Sequence, residues 1–322
     1  MIKADLIYET ALDLLKKSVV EIPEDVYAAY QQAHGKEEGM AREIYDFFFT
    51  CREEDAILCE DTSHMIFYIT LGTKCQIDPE MDWWGVMSKV TEDASWGIGS
   101  RTTSEEARQF LPPRVSDPIT LENFGTNCGV NMPALNFNMA TGEDCLEITA
   151  APKGGGADMY SAFRSILPAD GIMGVKKFVM DTVVQALKGG KTCPPNIIGI
   201  GMGGGVAASG RLAHEAGALR PIGSRHPIKW IAELEDELLE NINSLGIGPM
   251  GKMGNVTAYD VHVEYSWGHK IFIPVMLIPQ CFVVRRATAR IYPNGKVERR
   301  PYPELWFKEA RRTIDYYHEH RR

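Results

Sequence analysis

A chain of 322 residues, 44% hydrophobic and 24% charged, has ordinary globular composition and enough length to bury a sizeable core. Its net charge of −9 argues against a broad nucleic-acid or anionic-membrane footprint, and the basic stretch from Arg311 to Arg322 reads as the cationic end of a helix. Seven cysteines without dense spacing, no signal-peptide pattern, and a longest apolar stretch (271–284) broken by Pro274 and Pro279 exclude a disulfide scaffold and a bilayer span, and predict a cytoplasmic protein.

Residues 4–54 predict helices. Leu6, Ile7, Ala11, Leu14 and Leu15 recur at helical spacing, Pro23 restarts the chain, and 41–49 continues the period. A strand is expected over 65–70, loops and a helix over 92–110, turns at 116–119 and 131–134, and a strand over 144–150. A helix over 171–187 is closed by Gly189-Gly190, and a strand over 196–201 leads to a helix over 206–219. Then come a helix over 232–242 with an acidic face, a half-buried strand over 256–265 and an apolar strand region over 271–284. A hairpin turn at Tyr292-Pro-Asn-Gly295 and a helix over 303–318 complete the pattern. With no repeat and no low-complexity linker, the expected fold is α/β, of the mixed α+β kind, in a single domain. A helical layer occupies 1–54, an α/β core 55–300, and a C-terminal helical segment 301–322.

One segment carries more chemistry than the rest. Cys193 lies in Lys191-Thr-Cys-Pro-Pro195, where the prolines stiffen the backbone around the thiol, and a strand then delivers the run Gly199 to Gly205. A thiol held so suits metal ligation better than core packing. Cys59, in Leu-Cys-Glu-Asp-Thr62, and Cys281, in Pro-Gln-Cys-Phe-Val-Val-Arg-Arg286, stand in similarly loaded contexts, and three such thiols would hold one iron–sulfur cluster. Cys51, Cys75 and Cys145 read as small buried hydrophobes. No CxxC spacing favours a zinc knuckle or a ferredoxin-type site.

The run Gly199-x-Gly201-x-x-Gly204 fits a dinucleotide fingerprint formally, but no acidic residue ends a second strand about 20 positions on. Close backbone packing is the better reading, and a nucleotide-binding dehydrogenase the weaker one. Pro152-Lys-Gly-Gly-Gly-Ala-Asp158 is either an anion-holding nest beside Lys153 or a flexible turn. Asn127-Cys-Gly-Val-Asn-Met-Pro133 is a polar knot that ties down backbone groups.

Taken together, Cys59-Glu-Asp-Thr62, Asn127 to Ala134, Ala151-Pro-Lys-Gly-Gly-Gly156, Lys191 to Pro195 and Gln280 to Ala287 resemble the class I fumarase family. These are iron–sulfur hydro-lyases that include fumarate hydratase and L(+)-tartrate dehydratase, and the size resembles the α subunit of the two-subunit forms. The resemblance implies a [4Fe-4S] cluster on Cys59, Cys193 and Cys281, whose fourth iron acts as a Lewis acid on a small hydroxy-(di)carboxylic acid. It implies catalytic roles for Asp61 and His269, and substrate contacts from Glu60, Lys153, Gly154, Gly155, Gly156 and Arg114.

Departures from the family pattern are informative. Glu60 stands where the family has Gln, Ser63 where it has Gly, and Cys128 where it has Thr; Arg114 is displaced from the family's anion-gripping arginine. The expected substrate is a small hydroxy-(di)carboxylic acid, fumarate/malate or tartrate-like, with these departures pointing away from fumarate and a cluster-binding scaffold that has lost catalysis as the alternative. Nothing after Arg290 resembles the family's C-terminal signature. The implied assembly is α2β2, with a β subunit supplying the catalytic base and further anion-binding residues, and with no nucleic-acid or membrane partner.

Overall fold

The computed structural model describes residues 1–54, 56–59, 61, 64–97 and 114–319. The chain divides into two compact units interleaved along the sequence. One comprises Met1–Pro23, Arg52–Lys153 and Arg285–Arg322; the other comprises Glu24–Cys51 and Gly154–Val284. The fold is α/β with two mixed sheets, as the alternation of helical and strand patterns predicts. The N-terminal helices, expected as one layer, are shared between the units: α1 (Ala4–Val20) belongs to the first, α2 (Glu24–His34) and α3 (Gly39–Glu53) almost wholly to the second. Among the described residues no helix is long and apolar enough to cross a membrane.

The first unit is built on a five-stranded sheet in the order β2 (Ala134–Ala140), β1 (Ile66–Gly72), β3 (Leu146–Ala150), β8 (Ala287–Ile291), β9 (Val297–Arg300). β1 and β2 run parallel and are joined through α4 (Trp83–Gly97); the other neighbours are antiparallel. Period-2 alternation puts Phe67, Ile69, Leu146, Ile148, Ala289 and Ile291 on one face, against Ile7, Ala11, Leu14 and Leu15 of α1 and Met87, Val90 and Ala94 of α4. The other face is polar yet closed. Thr149 and Thr288 share a 2.9 Å hydrogen bond, Arg290 pairs with Glu147 at 2.8 Å, and Glu147 also accepts the Leu305 N–H at 3.0 Å.

The second unit carries a four-stranded sheet in the order β4 (Ala162–Ile166), β7 (Ile273–Gln280), β5 (Asn196–Gly203), β6 (Ala258–Ser266). β5 and β6 are parallel; β7 runs antiparallel to both β5 and β4. α7 (Val206–Leu219) covers one face. A Cβ on Gly199 would meet the Ala213 carbonyl, and one on Gly201 the Ser209 carbonyl, so both positions admit only glycine. The glycine run therefore seats a helix on a strand, which accounts for it without a dinucleotide. On the opposite face Met202 lines a cavity together with Val175 of α6 (Gly171–Leu187) and Leu234 of α8 (Lys229–Asn243).

Candidate active site

At the N-terminal end of β5 the second unit gathers two of the three expected thiol ligands. Cys193 precedes β5 and Cys281 follows β7, and the antiparallel pairing of these strands, with Ile197 opposite Gln280, brings the two loops together. The Phe282 N–H donates to the Cys193 carbonyl at 2.7 Å. Cys193 has φ +51°, a left-handed conformation that costs an unbranched L-residue roughly 1–3 kcal/mol and persists only where neighbours enforce it. They do so here. The Cys193 N–H donates to the Gly190 carbonyl at 2.9 Å, and the Pro194 carbonyl accepts from Met250 N–H at 2.7 Å. The Pro194-Pro195 bond is cis.

Behind the Cys281 loop lies an aromatic cluster. Phe282 stacks on Phe48 with centroids 4.5 Å apart and meets Tyr30, Tyr45 and Tyr259 at 4.8, 5.2 and 5.8 Å. The Tyr30 hydroxyl donates to the Phe282 carbonyl at 2.6 Å. Burial, and then the repulsion of a negative charge at the neighbouring Cys281, push the Tyr30 phenol well above its ordinary range, so it stays a donor at every physiological pH. α2 and α3 thus fix the residue that follows the thiol.

The glycine turn lies beside the Cys193 loop. Gly154 opens the four-residue helix α5 (Gly155–Asp158), and a Cβ on Gly156 would stand 4.0 Å from the Lys191 carbonyl. A Cβ on Gly155 would meet nothing within 4 Å. Gly155 and Gly156 are exposed, unlike the glycines of β5, and Gly155 leaves room for an incoming group to reach the backbone. The Lys191 ammonium sits 5.4 Å from the centre of the Tyr160 ring.

The remaining expected residues, His269 apart, belong to the first unit. Cys59 is half-buried on a loop whose carbonyl accepts from the Arg285 guanidinium at 3.3 Å, and Asp61 is half-buried two residues on. Lys153 is buried, its backbone bridged both ways to His64 at 3.1 and 3.2 Å. Arg114 is exposed; its N–H donates to the side-chain carbonyl of the buried Asn127 at 2.7 Å, and the Asn127 amide donates to Ser95 at 3.0 Å. The polar knot does tie down backbone, as its composition predicts. Glu60 lies outside the described residues, as do Thr62 and Ser63.

His269 is not brought to the thiols within this chain. It lies before β7, whereas Cys281 follows it, and eight strand residues set the two ends roughly 25 Å apart. There the exposed His269 lines a cavity of about 280 Å³ with Lys270, Ser266, Tyr265 and Trp230.

The thiols fit an iron–sulfur group by chemistry and exposure. Cys193 is exposed and Cys59 and Cys281 half-buried, as are Cys128 and, against its expected burial, Cys75; Cys51 and Cys145 are buried, and burial pushes the Cys145 thiol up to about 11. Among the described residues no three His, Cys, Asp or Glu side chains converge on one point suited to a single metal ion. A cluster distributes its thiolates over separate irons and needs no such convergence.

Residues 8–290 match the family model described as fumarate hydratase (fumerase). The chain therefore belongs to the fumarate hydratase family, and it is a hydro-lyase. It is similar to a putative L(+)-tartrate dehydratase subunit alpha of Methanocaldococcus jannaschii, at 38% identity over 90% of this chain and 99% of the relative. It is also similar to the L(+)-tartrate dehydratase subunit alpha of Escherichia coli strain UTI89, at 30% identity over 85% of this chain and 86% of the relative.

Asn196, Thr192, Phe282 and Tyr30 shape this end of the sheet and were not singled out by motif. The one signal was an asparagine opening an otherwise apolar strand, where a buried amide must find partners.

Proposed function

We propose that this chain is the cysteine-bearing α subunit of an iron–sulfur hydro-lyase that adds or removes water on a small hydroxy-(di)carboxylic acid. Cys59, Cys193 and Cys281 are its cluster ligands. The observation that carries this reading is the common anchoring of the Cys193 and Cys281 loops beside a glycine turn that faces open space. When bound, the [4Fe-4S] cluster would supply a Lewis acid that makes a hydroxyl a better leaving group or water a better nucleophile.

The chain's own residues do the rest of its share. Backbone N–H groups of Gly154, Gly155 and Gly156 receive a carboxylate, with Lys153 and Arg114 contributing positive charge. Asp61 is the candidate for proton transfer from this chain, and Glu60 contacts substrate. A carboxylate at Glu60 repels a carboxylate of fumarate and tartrate alike unless it is protonated or paired, but it can accept from the second hydroxyl that tartrate carries and malate lacks, which favours a tartrate-like acid. The relatives' names, L(+)-tartrate dehydratase subunit alpha, support that substrate class and a β partner, which we assign to an α2β2 assembly. His269, a strand's length from the thiols, takes part only if a neighbouring chain receives it.

Anaerobic co-expression with a β-type partner tests this. Iron and sulfide in stoichiometric amount, with dehydration of at least one 2-hydroxy acid in a panel, are expected. Iron without any turnover would leave a cluster-carrying scaffold, and an iron-free, colourless complex would overturn both readings.

A further inference from the structure

Asn196 is fully buried at the first position of β5, where the pairing with β6 slips by a register shift between Asn196 and Ile197. Its side-chain amide donates to the Gln280 carbonyl at 2.6 Å and to the Thr192 carbonyl at 3.0 Å, and its Oδ1 accepts from the Thr192 hydroxyl at 2.8 Å. Thr192 and Gln280 are the residues immediately before Cys193 and Cys281. Both carbonyls lie where the β5–β7 ladder runs out, so a side chain must supply the donors the backbone no longer offers. Only an amide presents two N–H donors and one acceptor at this reach; an aspartate offers no donor, and a serine cannot serve both carbonyls.

We propose that Asn196 is a positioning residue that sets the spacing of the Cys193 and Cys281 thiols before any iron is bound. The inference rests on the reading of these two thiols as ligands. Thr192 orients the amide through its hydroxyl. The Phe282 N–H to Cys193 carbonyl bond then closes a ring of contacts around both loops. A third thiol is not needed for this part of the site to be preformed.

The test uses the full chain, iron-free, and dibromobimane, which fluoresces once it bridges two thiols; the bridged peptides are identified by mass spectrometry. The native chain is expected to bridge Cys193 to Cys281. Asn196→Asp is expected to lower that bridge, and iron retention after anaerobic reconstitution with ferrous iron and sulfide, by about 10–100-fold, as loss of an outer support does at metal sites. Alkylation of Cys193 alone should keep its native rate, a separation that a general loss of structure would not produce. If Asn196→Asp unfolds, seen as fast alkylation of buried Cys51 and Cys145, Thr192→Val removes only the orienting hydroxyl and is expected to give a smaller loss of the bridge. No bridge in the native chain, or native bridging in a folded Asn196→Asp or Thr192→Val, overturns the inference. Native bridging without iron retention would instead overturn the cluster reading and leave the role of Asn196 standing.

Discussion

The two ends of the four-stranded sheet are built to opposite specifications. At the thiol end, a buried amide, a buried phenol and five aromatic rings hold two loops whose sulfurs reach the surface or near it. At the other end, Gly203, Gly204 and Gly205 all take positive φ, and the segment 266–271 leaves Trp267, His269 and Ile271 exposed. The contrast shows where organisation is spent. A ligand loop must hold its donor atoms before the group arrives, because ordering them afterwards costs conformational entropy. Toward the far end the buried Arg220–Glu235 pair grips the Val263 backbone of β6, but beyond it the hydrogen bonds of Ser266, Trp267 and Ile271 are exposed, and the glycines serve the approach of a helix and a loop.

The contrast can be broken most severely at the thiols. Cys281→Ser is expected to lower iron retention by more than about 100-fold, beyond the loss typical of outer supports, while the thermal midpoint of the iron-free chain changes little. Iron and sulfide analysis beside calorimetry would read both. Next comes Phe282→Ala. The ring is fully buried among four others, so truncation should cost about 3–5 kcal/mol of unfolding free energy in a urea titration.

Gly201→Ala sharpens the comparison from the other side. Its Cβ would overlap the Ser209 carbonyl, forcing α7 away from β5 at a cost of about 1–3 kcal/mol.

Acid titration probes a charge beside the held end. Burial alone would raise the Asp260 carboxyl, but His262 at 3.0 Å, the Gly223 N–H at 2.6 Å and Arg225 at 2.8 Å outweigh it and hold it below its ordinary value. A carboxyl depressed in the folded state stabilises above its unfolded pKa, and that contribution is lost as pH falls through the folded value. The native chain should therefore lose stability below about pH 4, and Asp260→Asn should show a flatter acid profile.

The smallest effect on stability is expected at Gly155→Ala. Nothing lies within 4 Å of the added methyl, so unfolding free energy should move by no more than about 0.5 kcal/mol. The same methyl stands in the space assigned to substrate, and KM for the hydroxy acid should rise in the assembled enzyme. An unchanged KM would remove the glycine turn from the site.

Much of the fold was legible because its signals were local. α6 and α7 begin and end where apolar periodicity and flanking glycines predict, and the hairpin between β8 and β9 follows from Pro293-Asn-Gly295. β2 and β4 were not legible. Both are edge strands: β2 interleaves Asn136 and Asn138 with exposed Phe137 and Met139, and β4 is largely exposed, so neither shows a buried face. α4 (Trp83–Gly97) begins before the stretch 92–110 where loops and a helix are expected, and residues 98–110 of that stretch lie outside the described residues. At the site, the cysteine contexts stood out as residues, but their shared anchoring by Asn196 depends on strand pairing between positions 84 apart. The place of His269 followed from the direction of β7, which spacing along the chain cannot report.

The interleaving of the two units bears on how the protein is made. β8 lies inside the first unit's sheet, between β3 and β9, yet the ribosome delivers it only after the whole of the 154–284 segment. Until then β3 presents a bare strand edge to the cell, a template for pairing with other nascent chains. Neither unit can be cut out as one contiguous piece, and yield in a heterologous host should depend on holdase capacity during translation more than on the stability of the finished fold.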